Sequence, residues 1–208
     1  LFLIASALAY YGYRQILTPN TAFNEESRIV NIPRDSDFAS VVDTLLSNSI
    51  IKDRSSFEKV SSWMNYQSSS VPSGRYKVSK GWNNKQIVGL LRGGNQVPVN
   101  VTFNNVRNLD ELAGELTSHL EIDSIEMYKY LIDTTTATSY NVTPETVMTL
   151  FIPNTYSVYW NINVEDLVKR MVAERQKFWN QKDRLSKATS LDMTPEEVYT
   201  LASIVEKE

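Results

Sequence analysis

The last stretch of the chain, VYTLASIVEKE, carries two acids, Glu206 and Glu208, at the end of an apolar helical pattern. At about 100° per residue the acids fall on opposite borders of the apolar side, and Glu206 lies beside Tyr199. A carboxylic acid at such a margin, once covered, has its charged form disfavoured and its pKa raised. It can then donate a proton near neutral pH, as the cleavage of a glycosidic bond requires. The apolar side that we expect to be buried consists of Val198, Leu201, Ala202 and Val205.

The composition of the chain argues against several other kinds of chemistry. The 208 residues contain no cysteine, which excludes thiol catalysis, and a single histidine, His119, which leaves almost nothing from which to form a Ser-His-Asp triad or a multi-histidine metal centre. The formal net charge of −3 argues against a protein that binds nucleic acid phosphates. For Glu206 itself the alternative is a solvated acid at a helix edge with no chemical role, which is the commoner situation for glutamate.

The N-terminal run LFLIASALAYYGY is uncharged and mostly apolar, and it ends in tyrosines. It is shorter than the roughly 20 apolar residues that a membrane-spanning helix needs. We interpret residues 1–20 as part of a membrane anchor and its exit, with the tyrosines at the interface where aromatic residues collect. The polar stretch at 18–28 is then expected to lead into water. A buried core helix and the remnant of a signal peptide are the alternatives.

Strand and helix patterns alternate in the next part of the chain. RIVNIP at 28–33, GRYKVS at 74–79 and QVPVNVTF at 96–103 have the alternation and the flanking turn residues of strands. Asn83 with Gln86 predicts a capping box that begins the helix after the second strand. This alternation is the first indication of a mixed α and β fold.

Helical signals dominate the second half of the sequence. Asn108 with Glu111 predicts another boxed helix start. TPET at 143–146 and TPEE at 194–197 each place Thr as an N-cap and Pro at the first helical position. The charged stretch ERQKFWNQKDRLSK at 174–187 is typical of a solvated helix face.

The segment SIVEKE, preceded by TPEEVYTLA, resembles the active-site segment of the endolytic murein transglycosylases, the MltG or YceG-like family. FIPNTYSVYW resembles the F-x-P-[DN]-T-Y segment of that family. IPRDSDFASVVDTLLSNSII and SGRYKVSKGWNNKQIVGLLRGG together resemble its LysM-like module, and VPVNVTFNNVRNLDELAGEL resembles its next strand-helix unit. The similarity covers almost the whole chain, and SIVEKE and PNTY are its specific motifs.

The resemblance implies roles for particular residues. Glu206, the first acid of the motif, matches the catalytic glutamate of the family. For Glu208 a frayed terminus is the alternative to a role. For the residues after Pro153 the alternative is a turn whose side chains cap the local backbone. Supporting or substrate-binding roles are suggested for Glu208, Tyr199, Asn154, Thr155 and Tyr156.

The fold expected from these observations is α+β. We expect a partial transmembrane anchor with its exit at 1–20, a LysM-like strand-helix module at 27–95, and a helix-rich catalytic domain at 96–208. A later polar segment of the family does not occur in this sequence, so we expect the catalytic domain to be C-terminally incomplete.

The resemblance also implies a function. It implies a lytic transglycosylase that is anchored in the bacterial inner membrane with its catalytic part outside, and that cleaves nascent peptidoglycan glycan strands and so limits their length. The reaction needs no metal or organic cofactor, and the expected partners are glycan strands, peptidoglycan synthases and the membrane, with no nucleic acid. A non-catalytic peptidoglycan-binding tether and a membrane-anchored scaffold are the alternatives.

Overall fold

The computed structural model describes residues 12–13, 16–67 and 71–205, and its fold is α+β, as the sequence predicts. In these ranges, helices accompany two small antiparallel sheets of two strands each. The chain divides into two compact units. Unit 1 comprises the chain up to Pro98 together with Tyr159–Asn161, and unit 2 comprises Val99–Val158 and the chain from Ile162 onward.

Unit 1 is built around one antiparallel pair of strands. Its elements are β1 (Ser27–Ile32), α1 (Phe38–Ser47), α2 (Arg54–Trp63), β2 (Gly74–Ser79) and α3 (Asn84–Gly93). The two strands pair so that Ser27 lies opposite Ser79 and Ile32 lies opposite Gly74. Alternate residues are buried along both strands, as expected for a sheet with one face on a core. The largest fully buried side chains of this unit are Ile32, Leu45, Ile50, Ile51, Phe57, Tyr76, Ile87 and Leu91.

Local hydrogen bonds determine where the helices of unit 1 begin and end. The side chains of Asp37 and Asp53 accept backbone N–H groups at the starts of α1 and α2. The predicted capping box of Asn83 and Gln86 is present at the start of α3, which confirms that helix start. Helix α3 ends at Gly93, and its C-cap Gly94 has a φ of 63°, a left-handed conformation that glycine adopts without strain.

The segment before β1 belongs to the packed part of unit 1. Asn20 is 3% exposed and Phe23 is 5% exposed, so the prediction that 18–28 leads into water is wrong at these residues. The Asn20 side chain accepts the backbone N–H of Asp53 at 2.8 Å and donates to the Asn84 side-chain oxygen at 2.7 Å. A buried amide is tolerated when its polar atoms find partners, and these bonds allow a polar segment to be buried.

The predicted membrane anchor at 1–20 lies largely outside the described residues. Where the structure does describe this region, Pro19 forms an isolated bridge with Asn83 and Thr21 forms one with Ile51. Within the described ranges, no helix combines the length and the apolar character needed to cross a membrane. The anchor therefore stays a prediction.

Unit 2 contains the second pair of strands and more helices. Its elements are β3 (Val99–Phe103), α4 (Leu109–Thr117), α5 (Ser124–Ile132), α6 (Thr134–Ser139), a 3₁₀ helix (Val147–Leu150), β4 (Asn154–Val158), α7 (Val164–Asn180), α8 (Arg184–Ser190) and α9 (Pro195–Val205). Val99 pairs with Val158, and Phe103 pairs with Asn154. The Phe103 ring stacks on Tyr156 with centroids 5.8 Å apart and meets Phe151 edge-on at 6.4 Å. This aromatic group joins β3, β4 and the segment before β4 in one core.

The second predicted capping box is only half formed. The Asn108 side chain accepts the backbone N–H of Glu111 at 2.8 Å, as predicted for the start of α4. The Glu111 carboxylate accepts the backbone N–H of Arg107 at 2.7 Å, one residue before the expected partner. The helix start is therefore confirmed, while the reciprocal bond reaches a different donor.

The TPET segment does not begin an α-helix. A turn at 144–146 leads into the 3₁₀ helix, and the backbone N–H of Thr143 donates to the Thr146 hydroxyl at 2.9 Å. The Thr143 hydroxyl was expected to accept a backbone N–H as the N-cap of an α-helix. In the structure the backbone N–H of Thr143 donates to the Thr146 side chain. A threonine hydroxyl can form hydrogen bonds with nearby backbone groups that replace the helical pattern. The bond between Thr143 and Thr146 stabilises a turn at this position.

The charged stretch at 174–187 forms parts of two helices rather than one. Lys182 and Asp183, between α7 and α8, have φ values of 56° and 55°. Arg184 donates to the backbone carbonyl of Phe178 at 2.7 Å, and its guanidinium carbon lies 4.0 Å from the centroid of that ring. Arg184 thereby satisfies a carbonyl of the last turn of α7, which stabilises the end of the helix.

We expect Asn20→Ala to lower the free energy of unfolding by about 1–3 kcal/mol, because it removes the hydrogen bonds to the Asp53 backbone N–H and to the buried side-chain oxygen of Asn84. Asn31→Ala, at an exposed position of β1, is the control and should change it by less than about 0.5 kcal/mol. Urea titration of both variants measures the difference. Equal stability of the two variants would contradict a structural role for the Asn20 amide.

Candidate active site

Helix α9 leads directly to the candidate acids, and its start follows the predicted pattern. Pro195 is the first helical residue, where no backbone N–H is needed. The Thr194 hydroxyl accepts the backbone N–H of Glu197 at 3.2 Å, and the Glu197 carboxylate accepts the backbone N–H of Thr194 at 2.8 Å. This reciprocal pair is a capping box, which confirms the helix start predicted at TPEE. The bond from the Thr194 backbone is the main cause of a lowered Glu197 pKa.

Polar contacts on the first two turns of α9 attach it to the rest of unit 2. Glu196 forms an ion pair with Arg175 of α7. The Tyr199 hydroxyl donates to the backbone carbonyl of Phe151 at 3.2 Å. We call these two the attachment contacts. Glu196 and Tyr199 are three residues apart, so both lie on the same side of the helix.

The ion pair between Arg175 and Glu196 is more enclosed than a surface ion pair. The Arg175 side chain is 15% exposed and the Glu196 side chain is 31% exposed. Water and salt screen such a pair less than they screen exposed charges. The position of α9 relative to α7 is therefore held by an interaction with a defined direction.

The side of α9 that was expected to be buried is largely exposed. Leu201 is 50% exposed and Val205 is 65% exposed. For Leu201 and Val205 the reason is that α9 turns its Tyr199 side toward the rest of unit 2, and these two residues lie about 200° and about 240° around the helix from Tyr199. The prediction of a packed apolar side is wrong for Leu201, Ala202 and Val205, whereas Val198 is half-buried.

Asn154 and Thr155 are exposed residues at the start of β4. The Asn154 side chain accepts the backbone N–H of Thr155 at 2.8 Å. The Thr155 hydroxyl forms a hydrogen bond of 2.8 Å with the Thr102 hydroxyl on the neighbouring strand. These residues are in a strand rather than in the turn that was the alternative interpretation. Their side chains have local partners and also remain open to solvent.

Tyr156 is a core residue whose hydroxyl is bound. Its side chain is largely buried, and its hydroxyl donates to the backbone carbonyl of Ile152. Burial raises the pKa of Tyr156 to about 12, and the nearby charge of Glu174 adds to the effect. The hydroxyl therefore stays protonated at neutral pH and is available only as a structural donor to this carbonyl.

The structure brings Tyr156 and Tyr199 to one short segment of chain. Their hydroxyls donate to the carbonyls of Ile152 and Phe151, which are consecutive residues just before β4. The segment that leads to the exposed Asn154 is thus the same segment that receives the attachment of α9.

The two candidate acids, Glu206 and Glu208, lie outside the described residues. The description of α9 extends to Val205, the last residue of the helix. The role assigned to each acid therefore stays a prediction.

Arg175 is the feature of this region that the sequence did not reveal. It lies within the charged stretch at 174–187, whose pattern predicts a solvated face. Its partner Glu196 is 21 positions away, and no local pattern links residues at that separation. The helical arrangement of unit 2 is needed before the pair can be recognised.

In the described part of the chain, no group of three or more histidine, aspartate or glutamate side chains is arranged so that it could hold a metal ion. The exposed side chains at the start of β4 are an uncharged amide and an uncharged hydroxyl. Both groups can donate and accept hydrogen bonds, which suits contacts with a polar organic substrate.

Comparison with known proteins gives a family model that matches and a similar solved structure. The model of the YceG-like family matches residues 30–208. A crystal structure of a YceG-like protein from Listeria monocytogenes is similar to the chain, with 20% sequence identity and a TM-score of 0.45. The similar region covers 83% of this chain and 61% of that one, so the chain spans less than two thirds of the length of this solved relative. The search of curated proteins gave no match.

We expect Tyr199→Phe to destabilise α9, because the ring is kept while the hydrogen bond to the Phe151 carbonyl is lost. The expected cost is about 1 kcal/mol of unfolding free energy. Amide hydrogen exchange in α9 should accelerate accordingly. Tyr159→Phe, at a position that is 56% exposed, is the control. Unchanged exchange in α9 of the Tyr199 variant would contradict the attachment by this hydroxyl.

The start of α9 should also depend on pH. The Glu197 pKa is lower in the folded chain than the ordinary glutamate value of 4.5. The stabilisation from its carboxylate is therefore complete above pH 4.5 and is lost as the pH falls through the lowered folded value. Exchange of the Thr194 amide should accelerate over that acidic range.

Glu197→Gln is the control for this pH dependence, because its side chain does not titrate. Exchange of the Thr194 amide in this variant should vary less over the same range, once the intrinsic pH dependence of exchange is subtracted. If both proteins show the same residual dependence, Glu197 is not its cause.

Proposed function

The chain belongs to the YceG-like family, and from this premise we propose that the protein is a membrane-anchored endolytic lytic transglycosylase of the bacterial cell wall. Its proposed substrate is the MurNAc–GlcNAc bond within nascent peptidoglycan glycan strands. The product would carry a 1,6-anhydroMurNAc end, and the cleavage would limit strand length. The observation that carries the proposal is that Glu206, the first acid of SIVEKE, directly follows the capped and attached helix α9.

The proposed chemistry needs one acid. Glu206 donates its proton to the oxygen that bridges MurNAc and GlcNAc as the bond from that oxygen to the MurNAc anomeric carbon breaks. The resulting carboxylate then accepts the proton of the MurNAc 6-hydroxyl, whose oxygen forms a bond to the same anomeric carbon. The ring closes, the glutamate is again protonated, and no water is consumed. The second carboxylate that ordinary glycosidases use is therefore unnecessary.

The exposed start of β4 is the proposed contact for the sugar chain near α9. Asn154 and Thr155 present an amide and a hydroxyl to solvent beside the segment to which α9 is attached. Such uncharged groups can exchange hydrogen bonds with sugar hydroxyls and N-acetyl groups. Tyr156 and Tyr199 stabilise this region through their hydrogen bonds to the backbone carbonyls of Ile152 and Phe151.

Unit 1 is the proposed wall-binding module. Its strands β1 and β2 enclose two helices along the chain and pair in an antiparallel manner, an arrangement compatible with the LysM-like module that the sequence suggests. The anchor at 1–20 would hold the protein on the outer side of the inner membrane, beside peptidoglycan synthases as partners.

The test is Glu206→Gln in the full-length protein. Wild-type protein should release 1,6-anhydroMurNAc-ended fragments from purified glycan strands. The variant should bind the strands but release fragments at least about 10²-fold more slowly, because general acid catalysis contributes that much or more. Mass spectrometry of the soluble fragments measures the products.

Glu115→Gln is the matched control, because Glu115 is an exposed acid of α4 in the same unit. It should release fragments at the wild-type rate. A Glu206 variant that cleaves as fast as wild type would overturn the assignment of the acid. Binding without products from wild-type protein would favour the tether, and neither binding nor products would favour the scaffold.

A further inference from the structure

We infer that unit 1 binds the surface of an anionic lipid bilayer through cations on β2, on the turn after it and on the start of α3. We call these cations the basic surface: Arg75, Lys77, Lys80 and Lys85. All four belong to the described residues. Their proposed partners are lipid phosphate groups, and their role is separate from the cleavage of glycan strands.

The two units carry opposite net charges. Residues 1–98 contain eleven Lys and Arg and seven Asp and Glu, which gives a formal net charge of +4. Residues 99–208 contain ten Lys and Arg and seventeen Asp and Glu, which gives −7. The −3 of the whole chain therefore combines a basic unit 1 with an acidic unit 2. Such asymmetry between two parts of a chain is typical of proteins that contact a membrane or a nucleic acid.

The acids of unit 1 all lie in its first part, where cations neutralise several of them. Arg28 pairs with Glu25 at 2.8 Å. Arg54 pairs with both Asp43 and Glu58 at 2.8 Å. Glu58 is the last acid of the unit. The excess of positive charge is therefore carried by the residues that follow it.

Residues 59–98 contain six cations and no acid. In the described structure, the basic surface makes no ion pair with a carboxylate. The Arg75 and Lys80 side chains donate to the backbone carbonyls of Pro98 and Asn24, at 3.3 and 3.0 Å. A carbonyl accepts a hydrogen bond without neutralising the charge. The positive charge of this surface therefore stays available to an external anion.

Two of the cations lie on the outer face of the β1–β2 sheet. Residues alternate between buried and accessible along β2, which places Arg75 and Lys77 on the face away from the core. Asn31 and Ile29 lie opposite them on β1, and both are exposed. Neither strand contains an acid. This face thus presents positive charge without a competing carboxylate on either strand.

The segment before β1 lies beside the other two cations. Pro19 forms an isolated bridge with Asn83, which stands between Lys80 and Lys85 in the chain. The Thr21 hydroxyl accepts the backbone N–H of Gly81 at 2.9 Å. The Ile16 side chain packs against the core of unit 1. Residues 16–21 are therefore part of the same region of unit 1 as the turn after β2.

Exposed apolar side chains in this region favour a bilayer over a soluble polyanion. Ile29, opposite Lys77, is 37% exposed, Leu17 is 44% exposed and Tyr13 is 61% exposed. The boundary between headgroups and acyl chains accommodates apolar side chains next to cations, and tyrosine is enriched there. A polyanion in water offers the cations a partner but offers these apolar groups none.

The expected strength of the interaction follows from the number of cations. Each Lys or Arg near an anionic bilayer surface strengthens association about fivefold. The four cations of the basic surface together correspond to a factor on the order of 10²–10³. The attraction falls off within the Debye length, which is about 10 Å at 0.1 M salt and about 3 Å at 1 M. Binding should therefore weaken strongly as salt is added.

The test measures how fast lysines of the full-length protein are acetylated by an uncharged reagent, with mass spectrometry as the readout. Vesicles of phosphatidylcholine with phosphatidylglycerol are compared with vesicles of phosphatidylcholine alone. Lys77, Lys80 and Lys85 should react at least about threefold more slowly on the anionic vesicles, and about 0.5 M salt should abolish the difference. Lys129, an exposed lysine of unit 2, is the internal control and should react equally on both.

The double variant Lys77→Gln with Lys85→Gln tests the charges directly. Association through the basic surface should be about 25-fold weaker, so Lys80 should lose its protection on anionic vesicles. Both lysines are exposed and make no ion pair among the described residues, so the substitutions should leave unit 1 folded. Lys129→Gln with Lys187→Gln removes the same charge from exposed positions of unit 2 and should leave Lys80 protected.

Three results would overturn the inference. Equal acetylation of the basic surface with and without anionic vesicles would show that it does not meet the bilayer. Equal slowing on both kinds of vesicle would show proximity without recognition of charge. Slowing by soluble polyglutamate but not by vesicles would assign the surface to an acidic polymer. The activity of Glu206→Gln bears only on the proposed reaction, so the two proposals fail separately.

Discussion

The constraint on which both units depend is that a two-stranded sheet is marginally stable by itself and must bury one face under other elements. Helices of the same unit contact each pair: α1 contacts β1, α3 contacts β2 and α4 contacts β3. Helices α1 and α2 lie between β1 and β2 along the chain, and α4, α5 and α6 lie between β3 and β4. Tyr76 of β2 and Tyr156 of β4 are the largest buried side chains by which the strands enter the two cores.

Helix α9 is held by a different kind of interaction. Apolar burial stabilises an element without fixing its rotation closely, since many rotations bury a similar area. Hydrogen bonds and ion pairs depend on direction, so the Tyr199 hydroxyl and the Arg175–Glu196 pair specify one orientation.

The sequence predicted the features that depend on neighbours a few positions apart. The capping residues Asn83 and Thr194 were found because their partners are three residues away. The burial of Asn20 was missed because its partner Asn84 is 64 positions away, and the pairing of Arg175 was missed for the same reason. The rotation of α9 was predicted wrongly, since hydrophobicity alone indicated which side would be covered. The assignment of Glu206 came from the resemblance to a family and stays a prediction.

The buried Asn20 amide also determines how the chain would carry mechanical load. Tension applied to the polypeptide ahead of Pro19 would act directly on unit 1, because hydrogen bonds of Asn20 hold the chain at this point to the starts of α2 and α3. The backbone hydrogen bonds of Asn20 with Trp82 and Lys52 are adjacent to these side-chain bonds and bear part of the force. A pull from the N-terminal side would thus be distributed over two separated stretches of unit 1, at 52–53 and at 82–84, before it reached β1.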